Sequence, residues 1–149
     1  MYTTILVPLD GSKRAEMILP YVQELALRFK ANVVLIRVIE IDGHRSRPKI
    51  TYSTFELENT EQRIDDAESY LSVIQGEFQE RGIQVKTVIE EGPVVKRICQ
   101  VASSEDVDLL AMASHGRTGL ERVFYESVAA GVLHKVDRPL LLIRARSDL

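Results

Sequence analysis

Strongly apolar runs and amphipathic stretches alternate along this chain. Five short runs, Thr4–Leu9, Asn32–Ile39, Gln84–Glu90, Asp108–Ala113 and Pro139–Arg144, are mostly dense in Val, Ile and Leu. Several are continuously apolar, as strands are when helices cover both of their faces. After the first run, Ala15, Ile18, Leu19, Val22, Leu25, Ala26 and Phe29 recur at intervals of three and four, which places them on one helical face. Ser12 is positioned to cap that helix, and Pro20 inside it is expected to bend it or remove a hydrogen bond.

A second helix is predicted from about Leu57 to Arg81, with Ile64, Ala67, Leu71, Ile74 and Phe78 as its apolar stripe and Gly82 at its stop. Pro93 suits the first turn of a third helix, in which Val94, Val95, Ile98, Val101 and Ala102 face the sheet. A fourth is expected to start near Ser127, to carry Val128, Val132, Leu133 and Val136, and to stop before Pro139. The order β-α-β-α-β-α-β-α-β predicts an α/β fold, a single Rossmann-like domain over residues 1–149 with a parallel sheet wrapped on both faces. Ligands of such sheets bind at the carboxyl ends of the strands where the winding reverses, here the segments Pro8–Ser12 and Ala113–Gly119.

Composition narrows the function classes. The formal charge of −3 gives no drive toward nucleic acid. Cys99, the single cysteine, excludes an internal disulfide, and its neighbours Ile98 and Ala102 predict a buried, inert thiol. No basic region precedes a long apolar run at the start of the sequence, and no stretch reaches the ~18 apolar residues of a membrane span, so a soluble, cytoplasmic protein without a membrane partner is expected. The connection Glu40–Phe55 is the one long irregular stretch, locally basic through Arg45, Arg47 and Lys49. It reads either as a solvated loop or as a lid that helps to neutralise phosphates.

Candidate chemistry concentrates at two turns. Asp10, in V-P-L-D-G-S, can accept from a base amino group or a ribose hydroxyl, although Asp-Gly-Ser is also ordinary turn chemistry. Val38 can offer backbone N–H and C=O to a planar base, or is simply a core strand residue. After the fourth run come Ser114, His115, Gly116, Arg117, Thr118 and Gly119, whose glycines permit close backbone approach and whose Arg117 can pair with a phosphate oxygen. His115 is read as a residue that hydrogen-bonds or stacks rather than as a general base, because no metal-ligand spacing, nucleophile elbow, Walker motif or G-x-G-x-x-G accompanies it. No catalytic or metal residue is therefore assigned, and slow ATP hydrolysis is the most that an enzymatic reading allows.

V-P-L-D-G-S near the start, E-E-G-P-V-V-K-R-I, D-L-L-A-M-A-S-H-G-R-T-G-L and D-R-P-L-L-L-I-R together resemble the universal stress protein family, in the right order over nearly the whole chain. The resemblance implies a Rossmann-like five-stranded sheet and a homodimer joined through the last strand, Leu140 to Ile143. It further implies a nucleotide pocket, with Pro8, Leu9, Asp10 and Val38 at the adenosine end and Met112 beside the base or ribose. Ser127 and the Val128 N–H would then take phosphates.

The nucleotide-binding branch of that family carries G-x-x-G-x9-G-[ST]. Here the register reads Ala113-Ser114-His115-Gly116, nine residues, then Glu126-Ser127, so Ala113 and Glu126 replace the first and third glycines. A carboxylate ~4 Å from a phosphate charge costs about 4 kcal/mol at an effective dielectric of 20, roughly a thousandfold in affinity. Glu126 is also expected to sit at a helix start, where the dipole favours it. The expectation is a stress-response regulatory module in which ATP binding is weakened, AMP still fits, and Mg²⁺ accompanies any triphosphate. The alternative is an interaction or chaperone-like dimer that binds no nucleotide.

Overall fold

A computed structural model describes residues 1–40, 54–115 and 120–145, with the backbone alone described for 54–58, 115 and 120–127. Among these residues five parallel strands form one sheet: β1 (Thr4–Pro8), β2 (Asn32–Ile39), β3 (Val85–Glu91), β4 (Leu109–His115) and β5 (Leu140–Ala145). They lie in the order β3-β2-β1-β4-β5, so the winding reverses between β1 and β4. The helices are α1 (Leu19–Phe29), α2 (Thr54–Glu80), α3 (Val94–Ser104) and α4 (Leu120–Lys135).

Side chains alternate across the sheet and fill two cores. Ile5, Val7, Leu9, Val33 and Leu35 pack with Ile18, Val22 and Ala26, and with Leu71, Ile74 and Phe78 of α2. Leu6, Val34, Ile36, Leu110 and Met112 pack on the other face against Ile98, Val101 and Ala102 of α3 and Ala129 and Val132 of α4. Burial on both faces is why β1 and most of β2 read as continuous apolar runs rather than as an alternating pattern.

Four expectations need correction. The stretch before α1 is a 3-10 turn over Ala15–Ile18, and Pro20 falls in the first positions of α1. There the missing N–H is one that a helix start leaves unpaired anyway, so Pro20 neither bends nor weakens the helix. Ser12 does cap the turn, its Oγ accepting from the Ala15 N–H at 3.1 Å. β4 runs on past Ala113 to His115, with Ser114 paired to Arg144, so these two residues belong to a strand and not to a loop.

α4 begins at Leu120 and not near Ser127. The segment L-E-R-V-F-Y-E contains no Gly or Pro and several good helix formers, so nothing in it delays the helix until the serine. Cys99 is half-buried, and desolvation by burial pushes its thiol pKa up.

Candidate functional site

The crevice exists because β1 and β4 stay paired only at Ile5 with Leu109 and Leu6 with Leu110. The Asp108 N–H donates to the Thr4 carbonyl, so even-numbered residues of β1 present their peptide groups to β4. The next such residue after Leu6 is Pro8, which has no N–H to give. Proline at that position ends the pairing and lets the two strands part at their carboxyl ends. The N-terminal ends are held by Asp108, whose carboxylate accepts from the Thr3 N–H and hydroxyl and from the Thr4 N–H.

Just beyond Pro8 the chain turns. Asp10 Oδ1 accepts from the Ser12 N–H at 2.9 Å and the Ser12 hydroxyl at 2.6 Å, with Gly11 at φ +90° between them. That use of Oδ1 fixes the carboxylate of a residue that lines the crevice.

On the neighbouring strand the last bond to β1 runs from the Leu9 N–H to the Ile36 carbonyl, at 2.9 Å. Two residues on, Val38 presents its N–H and C=O on the same edge as Ile36, where β1 has already turned away. A strand residue in the middle of a sheet thus offers one donor and one acceptor to the crevice.

One cavity collects these parts. Pro8, Leu9, Asp10, Val38, Met112, Ala113 and Val128, all singled out from the sequence, line it together. Met112 is buried, and Ala113 and Val128 are half-buried. Ala113 lies in β4 and is not among the described residues with positive φ, so its methyl group, in place of a glycine hydrogen, brings no backbone strain.

His115 ends β4, and its side chain lies outside the described residues, as do Gly116, Arg117 and the basic segment with Arg45, Arg47 and Lys49. Glu126 and Ser127 fall within α4, and their side chains also lie outside the description. Because α4 starts at Leu120, Glu126 sits well past the first turn, beyond the reach of the favourable helix-start dipole. The Val128 N–H is likewise in the helix interior, where it belongs to the helical ladder and not to the unpaired first turn.

The cavity also takes in Ala15, Ile36, Arg37, Glu40, Arg63, Val94 and Ile98, which pattern reasoning passed over. For Arg37 a signal exists: it is the one charged residue in the otherwise apolar run N-V-V-L-I-R-V-I. Its guanidinium carbon lies 5.9 Å from the centre of the Tyr70 ring, and its Nε and Nη1 are buried without a hydrogen-bond partner. Tyr70 donates to Glu16 Oε2 at 3.0 Å. Burial first, then the Glu16 hydrogen bond and charge, push the Tyr70 phenol well above its ordinary pKa, so it stays a neutral donor. Among the described residues no cluster of His, Cys, Asp and Glu is gathered as a metal site would require, and no helix is long and apolar enough to cross a membrane.

Comparison with known proteins places this geometry. The chain is 28% identical over 159 residues to the universal stress protein MJ0577 of Methanocaldococcus jannaschii, covering 99% of this chain and 98% of the relative. The solved structure of MJ0577 superposes with a TM-score of 0.82 at 30% identity, covering 99% of both chains. A universal stress protein from Archaeoglobus fulgidus, solved in complex with dAMP, shares the fold at a TM-score of 0.66 and 19% identity, covering 95% of this chain and 98% of its own. The model of the universal stress protein family matches residues 1–144. A sheet wound in this order, a crevice opened at its reversal point and a match over nearly the full length lead to one conclusion: the chain belongs to the universal stress protein family.

Proposed function

We propose that this chain is a cytoplasmic stress-response regulatory module that holds an adenine nucleotide in the β1/β4 crevice and favours AMP over ATP. The observation that carries the reading is the convergence of the Val38 peptide edge, the Asp10 carboxylate and the Pro8 and Met112 walls on one cavity. The Val38 C=O and N–H complement the amino group and adjacent ring nitrogen of adenine. Oδ2 of Asp10 takes a ribose hydroxyl, and the thioether of Met112 packs on the base. A protein of the same fold whose structure was solved in complex with dAMP supports the view that such a crevice can accommodate a nucleoside monophosphate.

Discrimination against ATP is assigned to Glu126, which stands where the family's nucleotide motif has its third glycine; a carboxylate near a bound triphosphate would oppose it by charge. Mg²⁺ accompanies a triphosphate when one binds. The dimer proposed for this chain uses β5, which is last in the strand order and leaves one edge of peptide groups for a second copy.

Native mass spectrometry of gently purified protein tests the reading. The expected result is a dimer carrying an adenosine compound, or one that takes up a single AMP per chain when AMP is added. A chain that arrives empty and takes up no AMP contradicts it and favours the interaction-module alternative.

A further inference from the structure

Arg37 has no evident business in the middle of an apolar strand. Its side chain leaves β2 on the same face as Val33 and Leu35, toward α2, and stacks over Tyr70. Its Nε and Nη1 are withdrawn from water and bonded to nothing. Buried donors of a charged group are normally satisfied, because desolvating them without a partner is strongly unfavourable. No nearby acid supplies the partner: Asp10 and Glu40 line the same cavity without bonding to either nitrogen, and Glu16 accepts from Tyr70. Arg63, seven residues before Tyr70 on α2 and therefore on nearly the same helical face, lines the same cavity. Neither arginine forms an ion pair among the described residues.

We infer that Arg37 and Arg63 form a second anion subsite, on the α2 side of the crevice, that takes a phosphoryl group. Donor-only guanidinium groups from two facing elements, one of them orphaned and buried, match a tetrahedral oxyanion. Strand β2 is two positions from β4 in the sheet, roughly 10 Å at ordinary strand spacing, so this subsite is separate from any phosphate site after β4. The phosphoryl group has two possible sources. It is either a second phosphate borne on the ribose of the nucleotide, in which case the inference rests on the adenosine reading above, or a free inorganic phosphate, in which case it does not.

The test compares the wild type with Arg37→Gln, which removes a buried charge and is therefore not expected to unfold the chain. Melting is followed in inorganic phosphate and in chloride at matched ionic strength, and 5′-AMP and adenosine 3′,5′-bisphosphate are titrated calorimetrically. The expected result is a phosphate-dependent rise in Tm, or an affinity gain of about tenfold for the bisphosphate over AMP, present in the wild type and absent in Arg37→Gln. A bisphosphate gain identifies the ribose-borne source, and a Tm rise without it identifies free phosphate.

The inference is overturned if neither effect occurs, or if either survives Arg37→Gln unchanged. AMP binding without any Arg37-dependent effect removes the subsite and leaves the adenosine reading standing. An Arg37-dependent phosphate effect without AMP binding does the reverse.

Discussion

Arg37 Nη1 lies 2.8 Å from the point that a side-chain Cβ on Gly11 would occupy. The turn after β1 and the one charged residue of β2 are therefore in close contact: the φ of +90° requires glycine at position 11, and a Cβ there would also push the guanidinium aside. Gly11→Ala is expected to destabilise the fold by about 1–2 kcal/mol and to displace the guanidinium. Chemical denaturation measures the first effect. An unchanged midpoint would mean that the turn relaxes freely.

The core on the α2 face depends on large, fully buried side chains, of which Phe78 is one. Phe78→Ala is expected to cost about 3–5 kcal/mol through lost burial and a residual cavity. For a chain of this length that lowers Tm by roughly 2–4 °C per kcal/mol, which calorimetry resolves.

Asp108 ties the start of β4 to the start of β1. Burial opposes its ionisation, but the hydrogen bonds from Thr3 and Thr4 outweigh it and hold the carboxyl below its ordinary pKa of 3.8. A pKa lowered by folding means that the ionised form is stabilised in the native state. The contribution is complete above the unfolded pKa and disappears as pH falls through the depressed native value. Asp108→Ala is expected to cost about 1 kcal/mol near neutral pH, a small figure because the bonds are largely exposed, and nothing at strongly acidic pH. Equilibrium unfolding of both proteins as a function of pH checks the sign. A difference that grows toward acid would contradict it.

Glu126→Gly restores the glycine of the family's nucleotide motif. It is expected to raise ATP affinity by one to three orders of magnitude while changing AMP affinity little. Titrations with and without Mg²⁺ separate direct repulsion from a metal bridge. Equal ATP binding by both proteins would remove the charge argument.

Much of this fold is legible in the chain because its central strands are buried on both faces. Asn32–Ile39 is a mainly β-branched and aliphatic run, interrupted inside only by Arg37, and the observed strand has the same limits. Helix ends were harder to read. Ser127 looks like a cap, yet propensity carries α4 back to Leu120. Pro20 looks like a helix breaker only if the preceding 3-10 turn is mistaken for the same helix.

Of the site, Asp10, Val38 and Met112 could be placed because they follow from strand ends and from the family resemblance. Arg37 could not. Its meaning depends on Tyr70, far along the chain, and on the turn at Gly11, and only tertiary packing brings these together.

Calorimetric titration of 5′-AMP into the wild type and into Asp10→Ala tests the adenosine site most directly. The predicted result is one AMP per chain for the wild type, with affinity reduced about tenfold or more when the carboxylate is removed. No heat of binding in the wild type, or equal affinity in the two proteins, would contradict an adenosine site at the carboxyl ends of β1 and β4.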